Sequence, residues 1–270
     1  MLTDTHCHLD FDNFDNERTE VIDRARSAGV VRILNPGINV LTSENALKLA
    51  QQYPEVYAAV GVHPNEADSW DEETINRLRI LAAQPNVVAI GEIGLDYYRE
   101  RTPPEQQLKI FKSQLGLAAE LGLPVVIHTR NSSSADQKAT SDAIKILTIW
   151  IEKLIVTNSE LAAYPGVLHS FSGDLISAQN AISLNLCLGI TGPVTFKNSD
   201  ELHRVVGSVP LENLLIETDA PFLTPHPFRG NRNEPAYVKY IAEKIAEIQE
   251  LSYDVVVETS QINSERIFHW

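Results

Sequence analysis

Eight short runs of β-branched and apolar residues recur along the chain, each followed by a polar loop and a stretch with helical spacing. The runs are Leu2–His6, Val31–Asn35, Val56–Val62, Val87–Glu92, Val125–His128, Val167–Ser170, Leu186–Ile190 and Leu214–Glu217. Helix-like segments lie near 17–28, 42–52, 71–83, 104–121, 136–156, 174–184, 199–207 and 235–250, and the stretch 254–268 adds one more. Nearly continuous apolar strands alternating with helices predict a parallel sheet covered by helices. Eight such units in one unbroken series favour closure into an α/β fold of the TIM (β/α)8 barrel type, which takes about 250 residues. The alternative is a doubly wound open sheet, but no GxGxxG fingerprint follows an early strand.

No Pro/Gly/Ser-rich linker divides the 270 residues, so a single barrel domain over 1–270 is expected. One region departs from the rhythm. NSSSADQKATSD, a long helix and VTNSELAAYPG make an extended connection over 131–165. Its composition reads as a surface excursion, either an inert insertion or a lid on the site.

The most apolar stretch, AIKILTIWIEKLIV, is interrupted by Lys145, Glu152 and Lys153, so it does not read as a membrane span. The first residues lack the ordered regions of a signal peptide. Only Cys7 and Cys187 occur, far apart, as in a reducing compartment. A cytoplasmic protein with no evident obligate protein partner is expected. The formal net charge of −14 excludes a passive nucleic-acid coat, which gains affinity by neutralising phosphates. It leaves room for a metal enzyme whose cations supply local positive charge.

The polar residues that end the runs are unusual. The first ends in THCHLD, where strand alternation points His6 and His8 the same way. The third runs into GVHP with His63, the fourth into GEIGLDYY with Glu92, and the fifth into VVIHTR with His128. The sixth ends in VLHSFSG with His169, and the eighth in LLIETDAPFLTP with Glu217 and Asp219. In a (β/α)8 barrel all these ends meet at one rim, where active sites sit. Five of the eight histidines fall there; His203, His226 and His269 do not. A lone strand-end histidine is more often a core residue than a ligand. Five together shift that balance; imidazole and carboxylate suit Zn, Mn, Fe or Ni, and four imidazoles with two carboxylates exceed what one catalytic zinc needs. They fit two metals sharing a carboxylate bridge.

Together THCHLD, GVHP, GEIGLDYY, HTR, HSFSG, ETDAPFLTP and RGNRNEP resemble the TatD-family metal-dependent deoxyribonucleases, from residue 2 to about residue 235. The resemblance implies a TIM barrel, two divalent metal ions and hydrolysis of DNA phosphodiester bonds, often from the 3′ end. It points to an exonuclease on single-stranded or damaged DNA, with Mg or Mn for activity and Zn or Ni as alternatives. Carried over by position, His6 and His8 hold one metal, Glu92 bridges, and His128 and His169 hold the second. Asp219 binds metal and takes the proton of the attacking water, and His63 reaches the scissile phosphate. Two positions depart from the family pattern. GxHPH reads here with Asn65 last, and HxRDA reads HTRNS with Asn131. Both fall where substrate or ligand-supporting contacts are expected.

Arg130, Arg229 and Arg232 are candidate phosphate contacts, because a guanidinium matches phosphate geometry; each could instead form a surface ion pair. Tyr97 and Tyr98 could stack a base or pack their loop. Glu217 reads as an orienter of a ligand or as a third-metal ligand. An amidohydrolase-type esterase or amidase, including aminoacyl-tRNA deacylation, is the competing chemistry, since a metal pair can also attack a carbonyl. A catalytically idle scaffold on the same barrel is the third reading, but no expected ligand is missing.

Overall fold

A computed structural model describes residues 1–99, 101–133 and 136–270. The strands are β1 (Leu2–Asp4), β2 (Val30–Pro36), β3 (Val56–Val60), β4 (Val87–Asp96), β5 (Val125–Arg130), β6 (Gly166–Leu168), β7 (Cys187–Ile190) and β8 (Leu214–Ile216). They form one parallel sheet in sequence order. The helices are α1 (Arg18–Ser27), α2 (Val40–Gln52), α3 (Thr74–Ala82), α4 (Pro104–Leu121), α5 (Lys138–Val156), α6 (Leu175–Ser183), α7 (Asp200–Ser208), α8 (Val238–Gln249) and α9 (Tyr253–Phe268). Each of the first eight follows its strand, as the alternation of apolar runs predicts. No helix among the described residues is long and apolar enough to cross a membrane.

The sheet curls into a barrel whose seam lies between β8 and β1. Regular pairing stops there, and extended residues beyond both strands close it. The Thr5 amide donates to the Ile216 carbonyl (3.2 Å), the Asp219 amide to the His6 carbonyl (2.8 Å) and the His8 amide to the Ala220 carbonyl (2.8 Å). β1 therefore ends at Asp4, before the histidines that the sequence places on it. His6 and His8 still share a face because the chain stays extended through the seam, where Cys7 bridges Ala220. The ends of β6 and β8 also fall one or two residues short of the expected bounds, whereas β4 runs on to Asp96 and β5 to Arg130.

Alternation along the strands sorts the core into two parts. Leu34, Ala59, Val126, Val167, Cys187 and Leu215 form the inner cluster. Ile267 and Phe268 at the end of α9 join that cluster, with Trp270 packed on Tyr57 at 5.2 Å, so the last helix floors the barrel. Residues of the opposite parity, such as Ile33, Val60, Ile127 and Leu188, pack outward against the helices. Full burial of each such side chain contributes about 1.5–3 kcal/mol. Both cysteines are free and buried.

The connection over 131–165 is chiefly α5, the ordinary crossover helix between β5 and β6, followed by a short turn at Glu160–Ala163. The Asn131 amide donates to Thr140 Oγ1 (3.0 Å) and Gln137 Oε1 (3.2 Å) and accepts from the Thr140 amide. That side chain anchors the start of α5. Ser134 and Ala135, within the expected excursion, lie outside the described residues.

Candidate metal centre

One step above the inner apolar layer, the alternation changes chemistry. Val126 is followed on the same face by His128 and Arg130, Val167 by His169, and Leu215 by Glu217 and Asp219. His128, His169 and Glu217 each stand two positions beyond a core residue, so the strands that build the core also place the site. Gly94, with φ +140°, keeps the middle of this layer tight: a β-carbon there would collide with the His128 carbonyl on the neighbouring strand.

Glu92 lies at the centre and is almost fully buried. Its Oε2 is 3.5 Å from His6 Nε2 and 3.6 Å from His8 Nε2. Its Oε1 is 3.0 Å from His128 Nδ1, 3.5 Å from His169 Nε2 and 3.6 Å from His63 Nε2. Asp219 Oδ1 approaches only the first set, 3.8 Å from His6 Nε2 and 3.7 Å from His8 Nε2. The two Nε2 atoms of His6 and His8 are themselves 3.2 Å apart. Donors 2.0–2.1 Å from a tetrahedral cation stand about 3.4 Å from one another. The spacing of this buried set therefore matches the edges of a coordination polyhedron, and its imidazole and carboxylate donors fit a divalent metal.

For His169, His128 and His63 a second partner fixes which nitrogen carries a proton. His169 Nδ1 faces Glu217 Oε2 at 3.0 Å, so one proton is held there and Nε2, toward Glu92, is the nitrogen left to ligate once it gives up its own proton. His128 Nε2 faces Asp96 Oδ2 at 3.3 Å, leaving the Nδ1 lone pair toward Glu92. His63 is reversed. Its Nδ1 accepts from the Asn65 amide at 3.0 Å, so Nε2 holds the proton and points inward as a donor. His63 thus groups with Glu92 and His128 in space, but it is built to give a hydrogen bond rather than to ligate.

Burial and mutual charge tune these groups. Burial, then the charge of His169, hold His6 well below the usual imidazole range. Burial, reinforced by the charge of His128, lowers His63 to about 3. Burial would also lower His169, but the charges of Glu92 and Glu217 outweigh it and raise the ring to about 9. Burial opposes ionisation of Glu92, yet the histidines around it, His63 and His169 foremost, hold its carboxyl well below the usual range. Burial pushes Asp219 up to about 6.

A layer behind these residues fixes the loop that carries Asp219. The Thr218 amide and hydroxyl both donate to Asp4, at 2.8 and 2.6 Å. The Asn233 amide donates to the Thr218 and Phe222 carbonyls. Glu217 accepts from the Ser170 amide at 2.9 Å besides orienting His169. Asp96, Asp4, Thr218 and Asn233 escape the sequence reading. For Asp96 a signal exists: Glu92, Gly94 and Asp96 are spaced by two, which places Asp96 on the same strand face as the central carboxylate.

The arginines divide. Arg130 ends β5 above His128, with its guanidinium 4.1 Å from the Tyr98 ring centre. Arg229 stacks on Phe196 at 4.3 Å on the loop after β8. Arg232 turns away to Glu17 (2.9 Å), the Asn13 carbonyl (2.6 Å) and the Phe14 ring, as a loop anchor. Tyr97 also packs its loop, with its hydroxyl 3.3 Å from Asp142.

Comparison with known proteins identifies the family. The family described as TatD related DNase matches residues 3–269. The metal-dependent hydrolase YabD of Bacillus subtilis is 41% identical over 268 residues, covering 99% of both chains. The 3′-5′ ssDNA/RNA exonuclease TatD of Erwinia tasmaniensis is 37% identical over 274 residues, covering 99% of this chain and all of that one. Among solved structures, the TatD homologue YjjV of Escherichia coli superposes with a TM-score of 0.89 at 28% identity, over 100% of this chain and 98% of the other. The match to the family runs over almost the whole chain, and its relatives are covered almost from end to end, so the chain belongs to the TatD-related DNase family of metal-dependent hydrolases.

Proposed function

We propose that the protein hydrolyses phosphodiester bonds of single-stranded DNA, shortening it from the 3′ end, with two divalent cations held on either side of Glu92. The observation that carries this reading is the division of Glu92. Oε2 faces the nitrogens of His6 and His8, and Oε1 faces those of His128 and His169. His6, His8, Asp219 and Glu92 would hold the first cation, and Glu92, His128 and His169 the second. The relatives named 3′-5′ ssDNA/RNA exonucleases support the choice of a single strand and its direction.

Two bound cations neutralise phosphate charge and lower the pKa of water, which makes hydroxide available near neutral pH. The chain supplies the remaining steps. Asp219 Oδ1 faces the histidine pair, which leaves Oδ2 to accept the proton of the attacking water. His63 donates from Nε2 to a non-bridging phosphate oxygen, where charge grows in the transition state. Arg130, held over Tyr98 above His128, contacts the next phosphate, and Arg229 serves from the opposite loop. Imidazole-rich sites take Mn or Zn readily, and Mg or Mn serves phosphate chemistry.

The test uses single-stranded DNA labelled separately at each end, with chelated protein reloaded with Mg or Mn. Metal-dependent shortening from the 3′ end, reduced about 10²–10⁴-fold in Asp219→Asn, is expected. Absence of cleavage by protein shown to hold two equivalents of metal would overturn the reading and leave carboxylic esters as the substrates to try.

A further inference from the structure

Asp96 contributes no atom to either donor set, yet its carboxylate is almost completely buried, at 1% exposure. Four donors hold it. Oδ2 accepts from Asn65 Nδ2 at 2.8 Å and faces His128 Nε2 at 3.3 Å; Oδ1 accepts from the Tyr98 and Arg99 amides at 2.9 and 3.1 Å. The backbone is pinned as well. The buried amide of Gln107 accepts from the Asp96 amide and donates to the Asp96 and Thr102 carbonyls, all at 2.8–2.9 Å. An acceptor fixed from both sides can dictate the orientation of a ring that turns about its own bond.

A half-turn of His128 would present carbon atoms to both Asp96 and Glu92. A proton on Nδ1 would leave Asp96 facing a lone pair. Only the ring protonated at Nε2 satisfies Asp96 and keeps a lone pair inward for a cation shared with Glu92. The geometry points to Asp96 as the positioning residue that places the His128 proton on Nε2 and turns Nδ1 toward Glu92, so that the second cation position depends on it. The inference rests on the reading of Glu92 as a two-cation bridge. It singles out one side of that bridge. His128 and His169 each lean on a buried carboxylate, Asp96 and Glu217, whereas the Nδ1 atoms of His6 and His8 are buried without a partner among the described residues. Loss of Asp96 should therefore weaken the second position and spare the first. Asn65 joins the two functions of this wall, since its amide nitrogens meet both Asp96 and His63.

The experiment titrates zinc into chelated protein by calorimetry, with bound metal counted independently. Wild type should take two equivalents. Asp96→Asn should keep the first affinity within about twofold and lose about 10–100-fold in the second, the usual effect of removing a carboxylate behind a metal-bound imidazole. Asp96→Glu, which restores charge and acceptor, should recover part of the loss. In zinc-loaded wild type labelled with 15N-histidine, NMR should show His128 protonated at Nε2 and ligating through Nδ1. This readout does not depend on a variant that folds. Two wild-type affinities in Asp96→Asn, or a His128 proton on Nδ1, would overturn the inference while leaving the two-cation site standing. A single equivalent in wild type would overturn both.

Discussion

The carboxylate of Glu217 fills the space beside Gly189 that any β-carbon at that position would occupy. Gly189 lies on β7, two residues beyond the inner core residue Cys187. The missing side chain lets a carboxylate stand in the middle of the barrel and reach His169. Gly189→Ala should force Glu217 aside, with an overpacking cost of about 1–3 kcal/mol and the loss of the acceptor that orients His169. Urea unfolding should show the destabilisation, and zinc titration should show the second equivalent bound more weakly than in wild type.

Gly116 makes the opposite case. It sits within α4, where an added β-carbon would meet nothing within 4 Å and the backbone is ordinary helix. Gly116→Ala reduces the freedom of the unfolded chain and should stabilise the fold by about 0.5–1 kcal/mol. Thermal unfolding should shift upward by a few degrees, with nuclease activity unchanged.

The two glycines mark the reach of a sequence pattern, which carries no sign of what stands beside either residue. The barrel was legible because apolar runs report burial on both strand faces, and the rim histidines were legible because they interrupt those runs. The reason for the His6–His8 pairing differed from expectation. They alternate along the extended segment that closes the barrel seam beyond the end of β1, and only the pairing of Thr5–His8 with 216–220 reveals that. Asp96 was hidden by a boundary: the apolar run of β4 breaks at Glu92 with a glycine close behind, yet Gly94 is the residue that allows the strand to continue past His128. Arg232 shows the other limit. A guanidinium near a motif reads as a phosphate contact, while its actual partners, Glu17 and Asn13, lie more than 200 residues away and are supplied only by barrel closure.

Metal affinity should respond to pH differently at the two positions. Asp219, pushed up to about 6 by burial, ionises above that pH, so the first position weakens as pH falls through about 6. His169 is raised to about 9, because Glu92 and Glu217 outweigh the opposing effect of burial, and it binds a proton below that pH. A cation entering the second position near neutrality must displace that proton, so its affinity drops about tenfold per pH unit as pH is lowered from 9 to 6. Calorimetric titration at about pH 6.5, 7.5 and 8.5 should therefore show a nearly constant first step and a moving second. Parallel movement of both steps would contradict the assignment of Asp219 and His169 to different cations.

His63 should separate binding of metal from turnover. Its Nδ1 is occupied by the Asn65 amide, and burial with the nearby His128 charge lowers its pKa to about 3. The ring is neutral at every pH above that value, with the proton on Nε2 as a fixed donor toward the site. His63→Ala removes this donor and no metal-directed lone pair. The variant should bind two equivalents of zinc like wild type, yet cleave DNA about 10²–10³-fold more slowly, the usual consequence of removing one donor from a developing oxyanion. Loss of a metal equivalent in His63→Ala would instead make His63 a ligand and require its tautomer to be the reverse of the one its Asn65 contact dictates. Because the neutral ring does not titrate in the working range, the wild-type rate profile should contain no limb assignable to His63, and the pH profile of His63→Ala should parallel that of wild type at a lower level.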